Sequence, residues 1–128
     1  MDAGEVMAAY AAAWERGDPE AAFRFYDEHV TMRVPGRGRL AGLHEGREAV
    51  IETIRAFLAQ TSGNSATVDV LDRMVSPYRV GMFVRETVRR GEDTLELRRV
   101  NLYQVRDDKI VAIDIFEGDQ YDVDEFFD

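Results

Sequence analysis

Apolar side chains recur at helical spacing along the first half of the chain and at every other position along the second. Val6, Tyr10 and Trp14 fall at i, i+4 and i+8, and Asp2 with Glu5 three residues later reads as a capping box ahead of them. This spacing predicts a first helix with Tyr10 and Trp14 on its buried stripe. Gly17 ends it, and Asp18-Pro19 supplies an N-cap and a proline at the first position of a second helix. That helix is expected to carry Ala22, Phe23 and Tyr26 and to stop near His29. Val30, Met32 and Val34 then alternate with Thr31 and Arg33, the pattern of a short strand. Gly36, Gly38, Gly42 and Gly46 punctuate a predicted loop before a third, amphipathic helix. Val50, Ile51, Ile54, Phe57 and Leu58 form its apolar face, and Thr61-Ser62-Gly63-Asn64 breaks it.

Beyond that break the period changes to two. Thr67 to Val75, Arg79 to Val88, Thr94 to Val105 and Ile110 to Phe116 read as four strands. Ser76-Pro77, Arg90-Gly91-Glu92-Asp93 and Asp107-Asp108 connect them as turns. Helices first and a meander last, without strand–helix alternation, predict an α+β fold with helices on one face of a mostly antiparallel sheet. Gly36 to Gly42 lacks dinucleotide-binding glycine spacing, and no Walker motif occurs, so a doubly wound nucleotide fold is disfavoured.

Composition narrows the function classes. A chain of 128 residues, 45% hydrophobic and 32% charged, suits one globular domain spanning residues 1–128. There is no cysteine, which removes disulfides and thiol nucleophiles and permits a reducing compartment. No basic N-terminus precedes an apolar run, and no stretch reaches membrane-spanning length, so the expectation is a cytoplasmic protein without a membrane partner. A formal charge of −9 argues against nucleic-acid binding, which needs a basic footprint. Positive charge is local, at Arg33, Arg37, Arg39 and Arg47 and again at Arg89, Arg90, Arg98 and Arg99. Those groups read as solvated surface, with anchoring of an anionic substrate as the alternative.

Three stretches carry a family resemblance. Ala9 to Trp14 followed by Arg16-Gly17-Asp18 is the first. Phe25-Tyr26 through Val30, then Val34-Pro35-Gly36 and Leu40-Ala41-Gly42, is the second. Val100-Asn101-Leu102-Tyr103 with Asp107 to Val111 is the third. Together they resemble the SnoaL-like branch of the NTF2-like (cystatin-like) superfamily over nearly the whole chain. The resemblance implies a cone of three N-terminal helices on a curved, mostly antiparallel sheet. It also implies a small-molecule pocket and a homodimer through the outer sheet face. Function stays open, because the superfamily hosts isomerases, hydrolases, cyclases and non-enzymatic domains.

The ketosteroid-isomerase branch places its oxyanion-hole tyrosine where this chain has Tyr10 and its second donor where it has Asn101. An asparagine amide can also donate to an oxyanion. Val34 stands where that branch keeps its catalytic aspartate, and a valine carries no proton. In the epoxide-hydrolase branch, with its Asp–Arg–Asp arrangement, the matching acid position is Ile115, so Asp114 is expected on the opposite strand face. A register slip of one residue would make Asp114 a pocket acid.

From the residues themselves, Arg99, Asn101 and Tyr103 continue the face of Leu95 and Leu97, as oriented polar groups in a pocket would. A face emerging into solvent at Arg99 is the alternative. Glu117 shares a face with Val111, Ile113 and Ile115 and is the preferred replacement base; Glu86, after Met82 and Val84, is similarly placed. His44 between two glycines is a further acid–base candidate, with a loop or N-cap role as the alternative. Trp14, Met32, Val34, Phe57, Val84, Ile113 and Ile115 are expected as pocket walls. No metal site and no cofactor is expected, since two histidines without a nearby acid at ligand spacing bind none. The functional expectation is a cofactor-free isomerase, cyclase or lyase acting on an apolar carbonyl or hydroxyl metabolite. A non-catalytic binder of such a molecule and an assembly module are the alternatives. The acidic tail Asp119 to Phe127 is expected to fold back over the sheet or a partner, or to fray.

Overall fold

The computed structural model describes residues 1–59 and 66–126. The Thr61 to Asn64 break and Phe127 lie outside those residues. Helix α1 spans Ala3–Glu15 and opens on the expected capping box, the Glu5 amide donating to the Asp2 carboxylate at 2.8 Å. Gly17, at φ +71°, reverses the chain, and Asp18 caps the short helix α2, Pro19–Phe23. Here the structure corrects the sequence reading. The helix ends at Phe23, and Tyr26 begins strand β1 (Tyr26–Val34).

A second correction follows at once. Part of the glycine-rich loop is itself a strand, β2 (Gly42–Glu45), paired antiparallel with β1 through Met32 and His44. Helix α3 (Arg47–Ala59) comes next, then β3 (Ala66–Val75), β4 (Arg79–Arg90), β5 (Asp93–Arg106) and β6 (Lys109–Glu117). A fourth helix, α4 (Gln120–Phe126), closes the described chain, so the acidic tail folds back as one of its readings anticipated.

The six strands form one curved sheet in the order β2-β1-β6-β5-β4-β3, antiparallel except where β1 lies parallel to β6. Register shifts between Val70 and Asp72, between Gln104 and Val105, and in β1 between Tyr26 and Thr31 bend it. Helices α1, α2 and α3 fill the concave face. Val6, Met7, Tyr26, Val30, Val50, Val80 and Ile110 are fully buried between the layers. Burial of that kind stabilises by roughly 1.5–3 kcal/mol per large aliphatic side chain.

Helix α4 covers the far end of the same face. Val123 and Phe126 pack against buried Val88 and Leu97 together with Phe57, and the Arg90 guanidinium lies 4.4 Å from the Phe126 ring centre. Asp124 accepts from the Arg37 amide at 3.0 Å and from Gln120 at 2.9 Å. Gly36, at φ +93°, lets the loop run against Gln120 and Asp124, where a Cβ would collide with both side chains.

Candidate active site

Three rows of paired residues on the concave face build the site. Val84, Arg99 and Glu117 stand side by side across β4, β5 and β6; Met82, Asn101 and Ile115 form the next row; Val80, Tyr103 and Ile113 the third. Because alternate residues share a face, Arg99, Asn101 and Tyr103 make one polar stripe down β5. Helix α1 lays Tyr10 and Trp14 over one side, and α3 lays Thr53, Ile54 and Phe57 over the other. The space between is a cavity of about 550 Å³, within the range of small-molecule sites. Val34, Met32, Val84, Ile113 and Ile115 supply apolar wall, as expected from their pattern.

At one end of the stripe Tyr10, Tyr26, Tyr103, Trp14 and Asn101 share a hydrogen-bonded cluster. The Tyr10 and Tyr26 hydroxyls are 2.6 Å apart, and the Tyr10 ring centre lies 5.7 Å from those of both Tyr26 and Tyr103. Burial pushes the pKa of Tyr10 and of Tyr103 well above the ordinary phenol value, and the neighbouring phenol adds to it. Hydrogen bonding from Trp14 and Tyr103 to Tyr10, and from Asn101 to Tyr103, acts in the opposite direction without reversing it. Burial raises Tyr26 likewise. These phenols therefore keep their protons at any physiological pH and serve as donors, not as bases.

At the other end sits a buried charge cluster. Arg99 Nη2 lies 2.6 Å from Glu117 Oε1, and Nη1 lies 3.4 Å from Glu86 Oε1. Arg99, Glu86 and Glu117 have side chains only 9%, 10% and 3% exposed. Burial works against the Arg99 charge, but Glu86 and then Glu117 more than offset it and raise its pKa. Burial pushes the Glu117 carboxyl above its ordinary range; Arg99 pulls it down, while Glu86 and Asp124 push it further up. Among the described residues, Arg99 Nε, Asn101 Oδ1 and Glu117 Oε2 are buried without a hydrogen-bond partner. Glu86 and Arg99 face the cavity; Glu117 is buried behind Arg99 and does not line it.

None of three acid–base candidates borders the cavity, and for Asp114 that is the face its alternation with Ile115 predicted. Asp114 is on the convex face, its carboxylate 3.9 Å from Arg33, because its register with Leu102 alternates away from the cavity. The strand keeps the register with Ile115 inward. His44 lies on the outermost strand, its Nε2 2.7 Å from the Leu40 carbonyl, and is not a lining residue. Glu117 reaches the site only through Arg99. Conversely, Arg99 does not emerge into solvent, since α4 and Phe57 cover that end. Glu15, Tyr26, Thr53 and Glu86 are polar lining groups the sequence reading missed or ranked low. Glu86 carried a signal, its alternation with Met82 and Val84; Tyr26 was masked by its assignment to a helix. Among the described residues no cluster of three or more histidine, cysteine, aspartate or glutamate side chains is arranged to hold a metal. None of their helices is long and apolar enough to cross a membrane.

Comparison with known proteins agrees with this architecture. No curated protein sequence matches the chain significantly. Among solved structures, Bal32a from a soil-derived mobile gene cassette is 27% identical, with a TM-score of 0.89 over 98% of this chain and 95% of that one. An NTF2-like protein from Burkholderia xenovorans LB400 is 20% identical, with a TM-score of 0.74 over 97% and 94%. TerC, co-crystallized with polyporic acid, is 18% identical, with a TM-score of 0.81 over 96% and 95%. The SnoaL-like domain profile matches residues 7–113, and with the cone, the sheet order and these neighbours it establishes that the chain belongs to the SnoaL-like family of NTF2-like proteins.

Proposed function

We propose that this SnoaL-like domain is a cofactor-free enzyme of isomerase, cyclase or lyase type acting on an apolar metabolite that bears a carbonyl or hydroxyl group. One observation carries the reading: a single apolar cavity holds proton-retaining phenols at one end and a buried carboxylate at the other. The Glu86 charge and the Arg99 charge act on Tyr103 in opposite directions, so the two ends share one electrostatic space. In this mechanism Glu86 takes a proton from the substrate, the electron pair moves onto the substrate oxygen, and Tyr10 with Asn101 stabilises the resulting oxyanion. Arg99, itself paired with Glu117, positions Glu86. Val34, at the place of the steroid-isomerase base, contributes shape alone.

TerC, which shares the fold, was co-crystallized with polyporic acid, and this supports a cone that admits organic ligands. The open cavity weighs against a purely structural module. The test is native mass spectrometry of the purified protein for a retained ligand, followed by incubation of that ligand with the parent and with Glu86→Gln. The expected result is conversion by the parent and ligand retention without conversion by Glu86→Gln. Release of an unchanged ligand by both would favour the non-catalytic binder instead.

The same proposal includes a homodimer through the convex face and a cytoplasmic setting, where a chain without cysteine needs no oxidising compartment. Phe83, Val100 and Phe116 form one apolar row there, with Phe116 57% exposed. Sedimentation is expected to show a dimer that Phe116→Lys converts to a monomer. An unchanged mass for that variant, or a monomeric parent, rejects this interface.

A further inference from the structure

Charge is unbalanced around the cavity. Its charged lining groups are Glu15 at the rim, Glu86 and Arg99, with Glu117 immediately behind. Arg99 is thus the only cation in contact with the space among the described residues, and its two terminal nitrogens already face two carboxylates. The groups facing Glu117 are Arg99 from β5, Glu86 from β4 and Asp124 from α4, so that with Glu117 itself three acids stand against one base. Of the buried atoms without partners among the described residues, Asn101 Oδ1 and Arg99 Nε belong to lining residues, while Glu117 Oε2 lies behind Arg99, so the imbalance is one of charge. The remaining walls are apolar or carry neutral polar groups, the tyrosine hydroxyls, Thr53 and Asn101, and none of them adds a positive charge.

Such a site treats ligand polar groups unequally. A carboxylate entering it would either pull Arg99 from its partners or bury a further anion beside the same single cation. A hydroxyl or an ammonium can donate to Asn101 Oδ1 or to Glu86, and an ammonium also restores the charge count and can lie against the ring of Trp14. We propose that the cavity selects apolar ligands whose buried polar group is neutral or cationic, such as an alcohol, a ketone or a protonated amine, and rejects carboxylates. This deepens the function proposed above by naming the ligand class, and it rests on the cavity being a ligand site but not on turnover.

Three probes of one shape decide it: 2-naphthalenemethanol, 2-naphthylmethylamine and 2-naphthoate, titrated by intrinsic fluorescence and calorimetry at pH 7.5. The alcohol and the amine are expected to bind, and the carboxylate to bind at least about 100-fold more weakly than either, the size of effect an uncompensated buried charge produces. Glu86→Gln and Glu117→Gln, checked for folding by circular dichroism, are each expected to narrow that gap from the carboxylate side. Naphthoate binding as tightly as the alcohol overturns the charge selectivity while leaving the ligand site standing. Failure of all three probes to bind overturns both. The comparison among probes on the unmodified protein carries the test even where a variant does not fold.

Discussion

Replacing Arg99 by methionine is expected to cost the fold about 3–5 kcal/mol, the penalty for removing one partner of a buried ion cluster. Methionine fills much of the arginine stem's volume, so the loss measures charge more than packing. Glu86 and Glu117 would be left as neighbouring buried carboxylates with no cation between them. A melting temperature lower by on the order of 10–20 °C follows for a domain of this size. Glu117→Gln should cost several-fold less, because it leaves Glu86 and Arg99 as a balanced pair. Adding Arg99→Met to a Glu86→Gln, Glu117→Gln background should likewise cost much less than it does alone, as members of one network do not add. Chemical denaturation of the parent and the four variants checks this. An Arg99→Met variant as stable as its parent would show that the cluster is not held by its cation.

The same cluster fixes a pH dependence. The folded chain holds the Glu117 proton more tightly than the unfolded chain does, since burial raises that carboxyl above its ordinary value. The stability this contributes is fully present below the ordinary glutamate pKa and is lost as pH rises through the raised one. Glu117→Gln cannot titrate. Its stability relative to the parent should therefore rise across that window and level off above it.

How much of this was legible beforehand depended on the range of the interactions. The capping box at Asp2 and Glu5, the Gly17-Asp18-Pro19 break and the four-strand meander are local features, and they appear where periodicity and turn chemistry put them. Tyr26 reads as helix because it follows Phe23 at i+3, yet its backbone belongs to β1, whose parallel partner β6 lies about eighty residues away. Nothing local encodes that pairing. Strand β2 is four residues long and flanked by glycines, which makes it indistinguishable from a loop until β1 is placed beside it.

Site residues divide in the same way. Face alternation correctly put Arg99, Asn101 and Tyr103 on one side and kept Asp114 off it. Alternation could not rank Glu86 against Glu117. Both are inward-facing acids, and the difference comes from neighbours in space: Arg99 lies between Glu117 and the cavity, while Glu86 borders the cavity itself. The coverage of Arg99 was likewise unreadable, because it comes from α4, a short acidic helix whose apolar anchors Val123 and Phe126 find their surface only in the folded chain.

Tyr10→Phe is expected to lower kcat by roughly 10²–10³-fold on the substrate once identified, with KM little changed, as for loss of one donor to a developing oxyanion. The hydroxyl is buried, 2.6 Å from that of Tyr26, and holds its proton far above neutral pH, so its donor capacity does not vary with pH in the working range. The pH profile of the remaining activity should therefore keep the parent's shape, because the phenol removed does not titrate in that range. Removing the hydroxyl also strands Tyr26, at a stability cost of about 1–3 kcal/mol. The kinetics must consequently be read well below the variant's melting temperature. Tyr26→Phe separates the two effects, since it imposes a similar structural loss while leaving the Tyr10 hydroxyl in the cavity. A kcat for Tyr10→Phe equal to that of Tyr26→Phe would mean that the tyrosine cluster supports the wall without acting on the substrate. A much lower kcat for Tyr10→Phe alone would make that hydroxyl the donor, and the phenol cluster around it the scaffold that aims it.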